Sequence, residues 1–174
     1  MIRFNNSIDG MQLCAATGSV FSAPSDQCIA RVEKGVLYGG VTYNGYTGVG
    51  GSVNIHMTGF RPHWVNKDLL WVSFHYPFVQ LGVKKLFGQV PMHKSKVLKF
   101  DLQLGFKLEA TIKDVYPEGD MALLYSGKDW WSAVSNSGTD DEFAISVTLP
   151  AFSAVKTNAD FAFCALWTNS LMAS

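Results

Sequence analysis

The stretch VLKFDLQLGFKLEATI, Val97 to Ile112, changes its hydrophobic period at a single glycine. Before Gly105 the apolar residues recur every three or four positions, which is the spacing of one helix face. After Gly105 they alternate, which is the spacing of one strand face. Glycine often ends helices because it adopts the left-handed conformation without a Cβ penalty. The stretch therefore predicts a helix over residues 94–104 joined directly to a strand. The residues assigned to one face of that strand are Phe106, Leu108, Ala110 and Ile112.

Upstream of this joint, three β-type runs are separated by glycine-containing turns and predict an antiparallel meander. They are CIARVE at 28–33, VLYGGVTY at 36–43 and SVNIHMTG at 52–59. A short strand, IRF, and at best one short helix are expected before them. The hairpin partner of the strand after Gly105 is MALLYSG at 121–127, beyond the turn YPEGD.

A second helix is predicted between the meander and the joint, because apolar residues return at helical spacing. Its start is assigned to Asn66 or Asp68 as the cap, and its stop to Gly82. Pro77 lies inside it and should kink it, because proline lacks the N–H that an α-helix needs. A strand ending at Pro91 follows. The order strand, strand, strand, helix, strand, helix, strand, strand predicts an α/β fold with a mixed sheet.

The composition sets limits on partners and on location. Of 174 residues, 48% are hydrophobic, and 14 basic residues balance 14 acidic ones. The chain can build a core, and it lacks the basic excess of a protein that binds nucleic acid or an anionic membrane. Three widely separated cysteines do not form a disulfide framework, and we expect them to be buried thiols. No signal-peptide or membrane-spanning run is evident, which favours a soluble cytoplasmic protein. The four histidines have no zinc-like spacing, so no metal site is predicted.

The C-terminal part of the chain predicts further strands, because apolar residues alternate over 143–149 and 161–167. A lone hairpin is marginal in water, so these strands should extend the sheet, cover a face or pair with another subunit. We therefore expect one domain over 1–128 and a β-rich extension over 129–174, with a homodimer contact left open. The pair Trp130-Trp131 should cover an apolar surface of the same subunit or of a neighbour.

This order of elements, together with the Gly105-Phe106 joint, resembles the GNAT superfamily of N-acetyltransferases over residues 28–127. The segment from Tyr76-Pro77-Phe78 to Lys85 resembles divergent phage and prophage members. The resemblance implies a mixed, mostly antiparallel twisted sheet flanked by helices, of α/β or α+β class. It also implies acetyl-CoA as co-substrate and direct acetyl transfer to an amine that the sequence does not identify.

The resemblance places the family's phosphate loop after the third strand of the meander. Its positions fall on Arg61, His63, Trp64, Val65 and Asn66, where Trp64 and Asn66 replace two small residues. Amides at a helix N-terminus attract phosphate, so this loop is expected to bind the pyrophosphate of acetyl-CoA. Lys94 and His63 are expected to add charge there. The alternatives are that Arg61 is an ordinary surface arginine and that the other two are simply solvated.

The resemblance also predicts a cleft between IHMTG and LFGQVP for the pantetheine arm, with backbone groups of Met57 and Thr58 contacting it. In place of the family's strand carboxylate stands His56, an imidazole that can accept a proton near neutrality. In place of the family's tyrosine acid stands Asp101, which can donate a proton only if burial raises its pKa. Both residues have a purely structural alternative. The competing interpretation of the whole chain is an inactive GNAT-fold structural or interaction protein.

Overall fold

The computed structural model describes residues 1–136, with side chains described through Ser132. Seven strands and four α-helices occur in this part of the chain. The strands are β1 (Ile2–Phe4), β2 (Gln27–Glu33), β3 (Val36–Asn44), β4 (Ser52–Gly59), β5 (Lys85–Pro91), β6 (Lys107–Tyr116) and β7 (Gly119–Gly127). The helices are α1 (Ser7–Ala15), α2 (Lys67–His75), α3 (Ser95–Gln103) and α4 (Lys128–Asn136), and a π-helical turn, Tyr76–Gln80, continues α2.

The strands form one seven-stranded sheet in the order β1-β2-β3-β4-β5-β7-β6. Only β4 and β5 pair in parallel, and the other neighbouring strands of the described sheet are antiparallel. A small core under α1 contains Leu13 and Cys28. The larger core on the other face contains Phe74 of α2 and Leu104, which follows α3. The predicted mixed, mostly antiparallel sheet flanked by helices is confirmed.

The joint at Gly105 ends α3 as the sequence predicts. Gly105 has φ +91°, in the left-handed region. The Gly105 amide donates to the Leu102 carbonyl at 3.2 Å, and the Phe106 amide donates to the Asp101 carbonyl at 3.2 Å. These two bonds form a Schellman motif, which satisfies carbonyls at the helix end. The helix-to-strand joint therefore has almost no loop.

The prediction that Phe106, Leu108, Ala110 and Ile112 share one face is wrong. Leu108 pairs with Leu124, but a bulge follows and Ala110 pairs with Leu123. Because side chains alternate along a strand, the extra residue moves Ala110 and Ile112 to the face opposite Leu108. The strand is at the edge of the sheet, and Leu108 and Ile112 are 53% and 41% exposed.

The helix changes type at Pro77, from α-helix to a π-helical turn. The α2 helix starts at the predicted cap, where the Asn66 side chain accepts from the Leu69 amide at 2.9 Å. It continues into the π-helical turn, which contains Pro77. Pro77 has no N–H for the Ser73 carbonyl four residues earlier. That carbonyl accepts instead from the buried Tyr43 hydroxyl of β3, at 2.7 Å. The sheet thus supplies the hydrogen bond that the proline removes.

We expect Tyr43→Phe to lower the free energy of unfolding by about 1–3 kcal/mol, because the buried Ser73 carbonyl loses its partner while the ring is kept. Urea denaturation at neutral pH measures this change. Tyr46→Phe is the matched control, since the Tyr46 hydroxyl also donates to a carbonyl, that of Leu81, but at an exposed site. Equal costs for the two variants would contradict the role assigned to Tyr43.

The Trp130-Trp131 pair covers the same subunit. Trp131 is buried and its ring lies parallel to that of Phe74, with centroids 6.2 Å apart. Trp130 contacts the same phenylalanine, with centroids 5.2 Å apart. The first residues after the predicted boundary at 128 therefore form a helix that packs on the domain. The strands predicted over 143–149 and 161–167 lie outside the described residues.

Cys14 and Cys28 are buried free thiols, as expected, and Cys164 lies outside the described residues. None of the helices formed by residues 1–136 is both long enough and apolar enough to cross a membrane.

Candidate active site

Strands β4 and β5 pair over three residues and then separate. The pairs are Ser52 with Lys85, Val53 with Leu86 and Asn54 with Phe87. Beyond them β4 continues to Gly59 and β5 continues to Pro91. The space between the separated ends is a cleft, as predicted for this position. Its lining residues are Ile55, His56, Met57, Gly59, Trp64, Gly88, Gln89, Val90, Val97, Phe100, Asp101 and Phe106.

The two strands can separate because each keeps its other neighbour. The β3–β4 register extends as far as Gly39 with Gly59, and the β5–β7 register extends as far as Pro91 with Met121. The inner edges of β4 and β5 consequently direct backbone N–H and C=O groups into the cleft, where no strand of the described sheet pairs with them. Such edges bind extended chains through main-chain hydrogen bonds. The cleft is therefore suited to a narrow, amide-bearing ligand that lies between two strands.

His56 borders the cleft on β4, and its imidazole is on the same face of the sheet as the Thr58 side chain, two residues further along the strand. It is half-buried, and burial lowers its pKa below the usual value, with a smaller opposing effect from the Asp26 carboxylate. Loss of solvation disfavours the charged imidazolium. At neutral pH His56 is thus neutral and able to accept a proton, as its predicted role requires.

Asp101 contributes a carboxyl to the α3 side of the cleft. No hydrogen bond from the described residues reaches its side chain, and burial raises its pKa from 3.8 to about 7. A carboxyl group with this pKa is protonated in a substantial fraction of molecules at neutral pH and can donate that proton. An acid role for Asp101 requires that burial raise its pKa, and the pKa is raised.

The loop between β4 and α2 is held by Arg31 of β2. The Arg31 guanidinium donates to the His63 carbonyl, and it also donates to the Trp64 carbonyl at 3.4 Å. His63 is in the left-handed region, with φ +57°. Arg61 is exposed on the same loop. Because Arg31 fixes the His63 and Trp64 carbonyls, we expect the loop to keep this conformation without a ligand.

The start of α2 differs from an ideal phosphate site in two respects. The Asn66 side chain already accepts the hydrogen bond of the Leu69 amide, and Asp68 puts a carboxylate in the first turn. Amides and the helix dipole attract anions at such an end, whereas a carboxylate there competes with them. A phosphate at this loop would therefore need added cations, and Arg61 is an exposed cation on the same loop.

Trp64 does not project from the loop into solvent. It is 2% exposed and belongs to the larger core. Its ring lies against two glycines, Gly39 of β3 and Gly59 of β4, where an added Cβ would come closer than 3.0 Å to ring atoms. The indole Nε1 is buried, and none of the described residues forms a hydrogen bond with it. The tryptophan thus occupies space that side chains at the two glycines would otherwise fill.

Some of the predicted site residues line the cleft and others do not. His56, Met57, Trp64 and Asp101 line the cleft. The predicted positions that do not line it are Thr58, Arg61, His63, Val65, Asn66 and Lys94. The Thr58 hydroxyl donates to the Leu13 carbonyl of α1 at 3.3 Å, so its side chain faces away from the larger core. Lys94 directly precedes α3 and is half-buried.

Three residues that line the cleft were missed as site residues. Val97, Phe100 and Phe106 line it from α3 and from the joint. Val97 and Phe100 have the helical spacing of core residues, and Phe106 begins the alternation of a strand. Nothing in the sequence distinguishes a core residue from one that lines a cleft. Within residues 1–136, no three His, Cys, Asp or Glu side chains are grouped so that they could hold a metal ion.

Neither a protein-family model nor a curated protein matches the sequence. Solved structures do match. A variant of the spermidine N-acetyltransferase SpeG from Vibrio cholerae has a TM-score of 0.65 at 12% identity, over 78% of this chain and 99% of that one. The spermidine N-acetyltransferase from Vibrio cholerae in complex with CoA and spermine has a TM-score of 0.51 at 15% identity, over 61% and 68%. At these identities the likeness establishes the fold, which is that of the GNAT acetyltransferases.

Proposed function

We propose that this protein is an acetyl-CoA-dependent N-acetyltransferase that transfers the acetyl group directly to an amine. The observation that carries the proposal is the cleft between β4 and β5, which opens after three paired residues and is bordered by strand edges that no other strand within residues 1–136 covers. The spermidine N-acetyltransferase that shares the fold is described in complex with CoA and spermine. We propose the same class of co-substrate for this chain, and an amine acceptor that its residues do not identify.

The pantetheine arm is the part of acetyl-CoA that fits the cleft, because it is narrow and carries two amide groups. Backbone groups near Met57 and Thr58 would pair with it from β4, and Val90 would contact it from β5. The thioester would then lie near His56 and Asp101, and the pyrophosphate would lie outside the cleft at the loop that carries Arg61. Val65, Asn66, His63 and Lys94 remain proposed as its surroundings.

The proposed reaction has one bond-forming and one bond-breaking event. The acceptor nitrogen attacks the thioester carbonyl, the C–S bond breaks, and coenzyme A leaves as a thiolate. His56, neutral because its pKa is lowered, accepts the proton from the nitrogen. Asp101, which is protonated in a substantial fraction of molecules because its pKa is raised to about 7, donates a proton to the thiolate sulfur. Asp101 is on α3, which packs on the larger core, whereas alternation along β4 puts the His56 side chain on the opposite face of the sheet. The two groups would therefore reach the thioester from opposite faces.

Titration calorimetry of the purified protein with acetyl-CoA, and separately with 3′,5′-ADP, tests this proposal. We expect acetyl-CoA to bind with a micromolar dissociation constant and 3′,5′-ADP to bind more weakly at the same loop. Absence of binding of both, in a sample whose circular dichroism shows a folded protein, would refute the proposal.

Arg61→Ala should weaken acetyl-CoA binding roughly ten- to a hundredfold, because a charge-assisted contact to phosphate is worth about 1.5–3 kcal/mol. Binding of 3′,5′-ADP should weaken by a similar factor. Lys128→Ala is the matched control: it removes an exposed cation at the opposite end of the β4–β5 pair. An unchanged dissociation constant for Arg61→Ala would remove this residue from the site.

A second candidate function keeps the fold without the chemistry: a structural or interaction protein of the divergent phage type. The specific observation in its favour is the loop, where Trp64 and Asn66 replace small residues and Asp68 opposes an anion. The possible partner surfaces are the exposed edge of β6 and the extension over 129–174. The calorimetric titration separates the two candidates.

A further inference from the structure

We propose that the indole N–H of Trp64 is a specific hydrogen-bond donor for bound acetyl-CoA, to an amide carbonyl of its pantetheine arm. This inference rests on the proposed function and assigns a binding role to a side chain that replaces a small residue of the family's loop. It gives this protein a ligand contact made by a side chain, in addition to the main-chain contacts expected from β4 and β5.

The first observation is an unsatisfied donor. Trp64 is 2% exposed and lines the cleft, and its Nε1 has no hydrogen-bond partner among residues 1–136. Buried N–H groups are nearly always paired, because an unpaired one has lost its hydrogen bonds to water without replacement. A donor that stays unpaired at the wall of a cleft is therefore available to a ligand that enters the cleft.

The second observation is that the ring is held in place. An added Cβ on Gly39 would meet the six-membered part of the indole, and one on Gly59 would meet the pyrrole part that contains Nε1. The backbone of Trp64 is tied to Arg31 through its carbonyl. The N–H is consequently fixed beside the last residue of β4, and because Nε1 is buried the cleft wall must open locally for a ligand carbonyl to reach it.

The chemistry of the wall favours a neutral acceptor over a phosphate. Met57, Val90 and Phe106 line the same cleft and are apolar. Burial of a phosphate among such residues is costly unless cations accompany it, whereas an amide carbonyl needs only one donor. The pantetheine arm offers two amide carbonyls, and it is the part of acetyl-CoA that is narrow enough to pass between the strands.

Trp64→Phe tests the assignment, because it removes the N–H and keeps an aromatic ring between the glycines. Calorimetry should show five- to tenfold weaker binding of acetyl-CoA and of pantetheine, and an unchanged dissociation constant for 3′,5′-ADP. Trp71→Phe is the control, since Trp71 is an exposed indole of α2 that stacks on His75. Unchanged pantetheine binding in Trp64→Phe would overturn the inference.

A second measurement on the unmodified protein covers the case in which Trp64→Phe does not fold. The indole ¹H–¹⁵N resonance of Trp64, assigned through its contacts with Gly39 and Gly59 protons, should move downfield when pantetheine is added. A resonance that does not move while pantetheine binds overturns the inference and leaves the proposed function intact. If neither pantetheine nor acetyl-CoA binds, the proposed function itself has failed.

Discussion

Asp101→Asn should lower kcat at least about a hundredfold, because general acid catalysis is typically worth 10²–10⁴-fold and asparagine cannot supply the proton. The residual rate should also lack the loss of activity near pH 7 that deprotonation of Asp101 causes in the unmodified enzyme. The measurement is release of free coenzyme A with the amine that a screen identifies, followed between pH 5.5 and 8.5. An Asp101→Asn enzyme with normal kcat would exclude the acid role.

Whereas Asp101→Asn should lower activity, it should raise stability relative to the unmodified protein at high pH. This second experiment needs no acceptor amine. The pKa of Asp101 is about 7 in the folded protein and near 3.9 in an unfolded chain. Between these values the folded state binds more protons than the unfolded state, so the stability of the unmodified protein falls as pH rises from about 4 to 7. Asparagine removes this dependence.

We therefore expect the melting temperature of Asp101→Asn, relative to the unmodified protein, to be several degrees higher at pH 8 than at pH 5. Glu118→Gln, at an exposed position in the β6–β7 turn, is the control and should show no such difference. An equal offset at both pH values would mean that the carboxyl is not buried as described.

Local signals explain why most of the fold could be predicted. The end of α3 at Gly105 and the start of α2 at Asn66 depend on residues within one helical turn, and both ends are where the sequence places them. The failures involve tertiary structure. The bulge after Leu108 is a property of pairing with β7, and alternation along one strand contains no information about it.

In the candidate site, too, some features could be predicted from the sequence and others depend on tertiary structure. His56 and Asp101 could be located from the resemblance, because their positions follow from element order and from the distance to the Gly105-Phe106 joint. Their altered pKa values are consequences of burial, which no spacing of residues reveals. The orientation of Trp64 depends on Gly39, which is on a different strand and 25 positions earlier in the sequence. The sequence around position 64 therefore could not show that the ring lines the cleft.

Gly105→Ala should lower the free energy of unfolding by about 2–5 kcal/mol. Two costs combine. A residue with a Cβ loses about 1–2 kcal/mol in the left-handed conformation that the Schellman motif requires. An added Cβ would also lie less than 3.0 Å from the Trp130 indole, and overpacking of this kind typically costs 1–3 kcal/mol. Urea denaturation monitored by tryptophan fluorescence measures the sum.

Two further variants separate these costs. Gly35→Ala is matched in conformation, with φ +80° against +91°, but nothing lies within 4 Å of its added Cβ. It should lose only the conformational part, about 1–2 kcal/mol. Gly105→Ala combined with Trp130→Leu should lose less stability, relative to Trp130→Leu alone, than Gly105→Ala does in the unmodified protein. Equal losses in the free energy of unfolding for Gly35→Ala and Gly105→Ala would mean that Trp130 does not contact the methyl group added at position 105. The close contact described between α4 and the end of α3 would then be wrong.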